Sequence, residues 1–428
     1  MKNQAIEYKL HRRQLLEEDG EDEASYGVVG GRKRGGSRGG VVGERVVCGN
    51  EINDGKLEKK NSSMEEARSR KLGGSLKVPN VQELAEQQLA VVPPRYIRED
   101  IEKPVLSSSS ILMPQVPVID MEKLLEIGGD DTELERLHFA CKEWGFFQLV
   151  NHRVSSLLME KVKSEIRTFF HLPMEEKKKF EQQEGDLEGY GQAFVVSEEQ
   201  KLDWADMLYM ITLPINLRKP HLFPKLPVSL RDALDQYSAE LKELAMKIIC
   251  KMARALGMQD EDMNVLFKEE GAQMMRINYY PPCPQPDLVM GLCSHSDSVG
   301  LTILLQVNET EGLQINKGGA WIPVPCLPDA FVVNIGDILE IVTNGIYKSI
   351  EHRAVLNEDK ERISIATFLS PKLDGDLGPA PSLLTPQNPA KFRRIGVEDF
   401  FKGFFSRKLV GKSYIDTMRI GNGDDESN

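Results

Sequence analysis

Two short stretches of this sequence carry residue types that can do chemistry together. One is Ser294-His295-Ser296-Asp297; the other is Glu351-His352-Arg353, followed ten residues later by Arg362-Ile363-Ser364. In a β-strand, residues i and i+2 face the same side, so His295 and Asp297 are expected to project together, as are Arg362 and Ser364. Two imidazoles and one carboxylate on one side of a divalent ion leave its other positions open, a donor set that suits non-haem Fe(II). Three open positions can take a bidentate oxo acid and O2. Arg362 offers a planar fork that matches a carboxylate, and Ser364 sets a short donor beside it. In Arg276-Ile277-Asn278-Tyr279-Tyr280, the residues Arg276, Asn278 and Tyr280 alternate, which places three polar side chains on one strand face, as in the wall of a polar pocket.

Histidine is scarce, with seven in the chain: His11, His138, His152, His171, His221, His295 and His352. His138 to His221 fall in a helix-patterned half, where a histidine satisfied by its neighbours is the ordinary reading. Only His295 and His352 fall where the pattern is β. A lone His-x-Asp arises by chance in many proteins. The same motif followed by a distant strand histidine and then Arg-x-Ser is far more specific. Without it, Arg362 would read as a surface ion pair.

The elements that must position these residues are legible in the periodicity. Period-two segments occur at 274–280, 301–306, 313–316, 321–324, 331–335, 338–342, 347–356 and 363–369, separated by turns such as Gly318-Gly319 and Pro328-Asp329. Many short strands in series predict a closed or double-sheet unit such as a jelly roll. Before it, apolar residues at three- and four-residue spacing from Leu230 to Leu256 predict one long helix, with Gly257 as its stop; its role is to brace a sheet. Further upstream, Asn80 is placed to cap a helix, 116–120 and 145–150 read as strands, and 157–172 as an amphipathic helix. Near the C-terminus, Phe400, Phe401, Phe404 and Phe405 form a helical aromatic stripe. Such a stripe is core by default, or else folds over the mouth of the barrel.

Composition narrows the class. Over 428 residues, 40% are hydrophobic and 28% charged, and the net charge of −12 argues against non-specific nucleic-acid binding. No apolar run approaches the length of a membrane span, and the opening residues lack the apolar core of a secretory signal. Six cysteines without a CxxC pair point to reduced thiols, and hence to the cytoplasm with the nucleus as alternative. Residues 1–74, with the Gly/Arg-rich VVGGRKRGGSRGG, show no apolar periodicity and are expected to be a disordered head. Beyond it we expect an N-terminal region over 75–225, a bracing helix over 226–262, a catalytic core over 263–375 and a C-terminal helical segment over 376–428. The rival classes are a non-catalytic small-molecule binder on the same barrel and an RNA-associated protein working through the head.

Taken together, VPVIDM, KEWGFFQLVNH, GDLEGYGQ, RINYYPPCPQP, LCSHSDSVGLTILLQV, NIGDILEIVTNGIYKSIEHRAV and ERISIATF resemble the plant 2-oxoglutarate- and Fe(II)-dependent dioxygenases from about residue 74 to 420. Within that family the chain is similar to the senescence-related proteins and the alkaloid O-demethylases. The resemblance implies an α+β fold, with an N-terminal helical region packed on a distorted double-stranded β-helix (jelly roll) and flanking helices. It implies His295, Asp297 and His352 as iron ligands, and Arg362, Ser364, Asn278 and Tyr280 as contacts of 2-oxoglutarate. It matches Phe368 to a position that can stack on an aromatic substrate. Fe(II), 2-oxoglutarate and O2 are the implied cofactors, with ascorbate as reductant, in an enzyme working as a monomer on a small molecule. The implied reaction consumes 2-oxoglutarate and O2, releases succinate and CO2, and oxidises a substrate C–H bond. On a ring or chain carbon this is hydroxylation; on an O-methyl group it is demethylation with loss of formaldehyde. The expected substrate is an aromatic specialised metabolite such as an alkaloid or flavonoid, with a plant hormone as the alternative. One departure is Arg153, where the family usually has Gly after Asn-His.

Overall fold

The computed structural model describes residues 74–87, 89–99, 101, 115–126, 131–192, 194–267, 271–407 and 411–421. Apart from Gly74, the head read above as disordered lies outside the described residues, as does the RNA-contact reading that depended on it.

The strands in chain order are β1 Val118–Asp120, β2 Phe146–Val150, β3 Gly189–Gly191, β4 Asp206–Leu213, β5 Gln273–Tyr280, β6 Leu292–His295, β7 Leu301–Gln306, β8 Leu313–Lys317, β9 Ala320–Pro323, β10 Phe331–Ile335, β11 His352–Ala354, β12 Arg362–Leu369, β13 Asp376–Leu377 and β14 Ile395–Gly396. They form an eight-stranded sheet in the order β1-β2-β10-β7-β12-β5-β4-β3 and a four-stranded sheet in the order β6-β11-β8-β9, with β13 and β14 as a separate pair. All neighbours are antiparallel except β1 and β2.

The alternation of β5 and β12 explains how the large sheet works. Ile277, Tyr279, Ile363 and Ile365 point to one face and join the main hydrophobic core with the helix Val228–Leu256. Residues of opposite parity, among them Asn278, Tyr280, Arg362, Ser364 and Phe368, face a cavity between the two sheets. The long helix buries Leu230, Leu234, Tyr237, Leu241, Leu244, Ile248 and Met252, each such side chain contributing roughly 2 kcal/mol relative to exposure. It packs on β4, β7 and β12 and on the helices Thr132–Phe139 and Ser156–Phe170, and ends at Gly257 in the left-handed region at φ 64°. None of the helices, among the described residues, is long and apolar enough to cross a membrane.

Three local expectations fail for physical reasons. The segment 338–342, read as a strand, lies in the helix Asp337–Val342, of which every residue is buried. A run buried on all sides has no clear amphipathic period to separate helix from strand. The strand expected over 347–356 is only β11, His352–Ala354. Asn80 precedes the helix Val81–Glu86 without capping it through its side chain.

Asp206 does that work from β4, 125 residues away. Its Oδ1 accepts from the Val81 N–H at 2.9 Å and its Oδ2 from the Gln82 N–H at 2.8 Å. This pins the N-terminal segment to β4 of the large sheet. The loop after β2 holds Arg153 at φ 65°, a conformation that costs a residue with a Cβ about 1–2 kcal/mol. Its exposed ion pair with Glu122 returns little of that cost.

Burial raises the Asp206 carboxyl to about 6, against the lowering effect of the Gln82 and Val81 N–H groups and of Lys177. A carboxyl whose folded pKa lies above its unfolded one binds more protons folded than unfolded, so its contribution to stability falls as pH rises through the interval between the two values. Asp206→Ala leaves two buried N–H groups without acceptors, and we expect a loss of roughly 2–3 kcal/mol near pH 7. The loss should be larger near pH 4 and should narrow as pH climbs to about 6, as denaturant unfolding at several pH values will show.

Candidate active site

His295 is the last residue of β6 and His352 the first of β11, and the pairing of these strands sets the two histidines directly opposite each other. Their rings lie 4.3 Å apart between centroids. Asp297 is not on a strand, as its spacing from His295 had predicted; it sits two residues past the end of β6. The turn nonetheless brings it to the same place. Asp297 Oδ1 lies 3.6 Å from His295 Nε2 and 3.7 Å from His352 Nε2. All three residues are buried, with one candidate ligand atom from each lying within 4.8 Å of the others.

The surroundings point these atoms inward. His295 Nδ1 lies 2.8 Å from the Cys293 carbonyl and His352 Nδ1 lies 3.2 Å from that of Ile350. Each contact is made with Nδ1 protonated, which leaves the Nε2 lone pair facing Asp297. Burial, with His295 adjacent, pushes the His352 imidazole down to about 4, so it is neutral and able to ligate at physiological pH. Burial works to raise the Asp297 carboxyl, but the charge that the His352 and His295 imidazoles carry when protonated, with the Thr302 hydroxyl, outweighs it and favours a carboxylate below the usual range. Asp297 Oδ2 accepts from Thr302 Oγ1 at 2.6 Å and from Asn334 Nδ2 at 2.8 Å, so Oδ1 is the atom left for a metal. Two imidazoles and one fixed carboxylate match a divalent iron site.

Next to the trio, the β5–β12 register places Tyr280 opposite Arg362 and Asn278 opposite Ser364. The Arg362 guanidinium carbon lies 5.2 Å from the Tyr280 ring centroid. Its side-chain contacts are long, at 3.4 Å to Ser364 Oγ and 3.5 Å to Gln306 Oε1. Arg362 Nε and Asn278 Oδ1 are buried without a partner. A buried cation so loosely met has room for a further anion such as a carboxylate.

The rest of the cavity is largely apolar and rich in aromatic rings. Phe368 lines it from β12, Phe146 from β2, and Phe401, Phe404 and Phe405 from the helix Val397–Phe405. The stripe thus divides, with Phe400 wholly in the core and the later rings at the cavity. Phe194, which the sequence reading missed, closes the ring of aromatics. It is held at φ 63°, stacked on Phe405 with centroids 5.8 Å apart and planes at 13°. Thr302 and Asn334 were missed as well, although Asn334 is the lone polar residue of an otherwise apolar strand, a signal of a buried hydrogen bond.

Because Thr302 and Asn334 fix the carboxylate that faces the histidines, Asn334→Ala should weaken Fe(II) binding about tenfold while leaving the fold intact, in line with losses of other ligand-orienting contacts. Chelator competition at a temperature where both proteins are folded measures it.

The comparisons with known proteins agree with this geometry. Residues 271–371 match the 2OG-Fe(II) oxygenase superfamily, and residues 116–226 match the non-haem dioxygenase in morphine synthesis N-terminal family. The chain is 58% identical to the oxoglutarate-dependent flavonoid 7-O-demethylase 1 of Ocimum basilicum, over 86% of this chain and 98% of the relative. It is 54% identical to the thebaine 6-O-demethylase of Papaver somniferum, over 83% of this chain and 100% of the relative. Among solved structures it is similar to JOX2 in complex with 2OG, Fe and JA, with a TM-score of 0.73 and 36% identity over 81% of this chain and 99% of that one. The protein therefore belongs to the 2OG-Fe(II) oxygenase superfamily and is an oxidoreductase with Fe(II) and 2-oxoglutarate as its cofactors.

Proposed function

We propose that this enzyme removes O-methyl groups from methoxylated aromatic metabolites of the flavonoid or alkaloid type. The observation that carries the reading is the cavity itself, with the His295, Asp297 and His352 atoms at its base and Phe146, Phe368, Phe401, Phe404 and Phe405 around it. Aromatic walls favour a flat ring system over a sugar or peptide. The similarity to demethylases of a flavonoid and of thebaine supports the same class.

In this reading His295, Asp297 and His352 hold Fe(II), while Arg362 and Ser364 bind the distal carboxylate of 2-oxoglutarate, with Asn278 and Tyr280 beside them. The two sheets are the halves of a distorted double-stranded β-helix, and 263–375 is its catalytic core, braced by 226–262 and flanked by 75–225 and 376–428. Iron and 2-oxoglutarate supply the oxidation, taking up O2 and giving succinate and CO2. The chain supplies placement. Arg362 would hold the cosubstrate by its distal carboxylate, His295, Asp297 and His352 would hold the metal from one side, and the aromatic rings would exclude water and keep the substrate's methyl group beside it. One oxygen atom of O2 goes into succinate and the other onto the methyl carbon. The resulting hemiacetal splits into the free phenol or alcohol and formaldehyde.

Incubation with methoxylated flavonoids and O-methylated alkaloids should give formaldehyde and succinate in equal amounts. Products that gain oxygen and keep the methyl group would instead make the enzyme a hydroxylase, and turnover confined to non-aromatic acids or hormones would overturn the aromatic reading. For the cosubstrate site, Arg362→Lys keeps the charge and loses the two-pronged geometry. We expect a KM for 2-oxoglutarate raised at least several-fold with iron binding intact, and an unchanged KM would remove Arg362 from the site.

A further inference from the structure

After the aromatic helix Val397–Phe405, the chain comes back as a short strap, residues 411–421, that lies against the metal-binding strand. The Gly411 N–H donates to the Ser294 carbonyl at 3.0 Å, and the Ser296 N–H donates to the Gly411 carbonyl at 3.2 Å, so the strap bridges the residues on either side of His295. β6 is an edge strand of its sheet, and Gly411 covers part of that edge. Gly411 adopts φ 49°, and a Cβ there would lie 2.6 Å from Oε1 of Glu351, the neighbour of His352.

A second grip runs through Glu340. This carboxylate is fully buried in the helix Asp337–Val342. It accepts from Lys412 Nζ and Arg419 Nη2, both on the strap, each at 2.8 Å, and from the Ser349 N–H at 2.8 Å. Lys412 also donates to the Ser349 carbonyl. A buried carboxylate is tolerated only with such partners, so helix and strap are bound to each other electrostatically. The same helix reaches the metal site from its other end. The Asp337 N–H donates to the Asp297 carbonyl at 2.7 Å, and Asp337 Oδ2 accepts from Ser296 Oγ at 3.1 Å. Tyr414 then ties the strap to the aromatic helix, donating to the Phe400 carbonyl at 2.6 Å and packing on Phe400 and Phe404.

We propose that the strap is a positioning element of the iron site: through Gly411 and the Glu340–Lys412–Arg419 cluster it holds the backbone that carries His295 and Asp297 in ligating geometry. The inference rests on the reading of His295, Asp297 and His352 as iron ligands. Gly411, Lys412, Arg419 and Glu340 touch neither metal nor substrate; they act through the ligands' own backbone.

The test uses the full chain and Fe(II) under anaerobic conditions, with affinity read by chelator competition at a temperature where every variant is folded, alongside the Tm of the metal-free protein. Lys412→Met and Gly411→Ala should each weaken Fe(II) binding about tenfold, the lower end of the effect of losing contacts that orient ligands. Lys412→Arg, which keeps the charge and the reach, should bind iron nearly as the parent does. A contact that merely stabilised the fold would lower the Tm and leave the affinity of the folded protein alone. Parental affinity in folded Lys412→Met and Gly411→Ala would therefore overturn the proposal, and where one of the two does not fold the other decides. His352→Ala, measured in parallel, tests the ligand reading separately: parental iron binding there would show that the ligand assignment had failed, whatever the strap does.

Discussion

The pairing of β6 with β11 is the constraint on which the rest depends. It puts His352 across from His295 at a fixed interstrand distance, so two of the three candidate ligands are set by backbone hydrogen bonds and not by flexible side-chain choice. The third comes from the turn that follows, and a turn needs outside support. Asp297 receives it from the opposite sheet, where Thr302 on β7 and Asn334 on β10 hold one carboxylate oxygen and free the other. The site thus exists because two sheets face each other closely enough for side chains of one to hold the loop of the other.

The same division of labour runs through β5 and β12. One parity of these strands joins the hydrophobic core under the long helix; the other lines the cavity with Arg362, Ser364, Asn278 and Tyr280. A shift of one residue in that register would exchange the two sets and place an arginine in the core. The apolar packing of Ile277, Ile363 and Ile365 therefore secures the Arg362 side of the cavity as firmly as any polar contact within it.

Much of this was legible in the sequence because period-two alternation and the His-x-Asp, His and Arg-x-Ser spacing are local signals. What escaped notice was non-local or unpatterned. The helix Asp337–Val342 is buried on every side and so has no amphipathic period. The cap of Val81–Glu86 comes from Asp206 and not from the adjacent Asn80, because the acceptor was brought in by the sheet. Asp297 reached its place by a turn, although strand geometry had been the reason for expecting it there. Phe194 could not be foreseen because its contact with Phe405 joins two segments that are 211 residues apart in the chain.

That last contact bears on how such an enzyme can change. The groups arranged around the metal and Arg362 lie on paired strands or are tied to them, where almost any backbone adjustment disturbs several neighbours at once. The Phe194 and Phe405 rings lie on a loop and a helix outside the two large sheets, stacked on each other in the cavity wall. Substitutions at this pair reshape the opening without touching the oxidising apparatus. Part of the substrate-facing wall thus lies apart from the strands that carry the reactive groups, and a lineage can vary that part while its chemistry stays fixed.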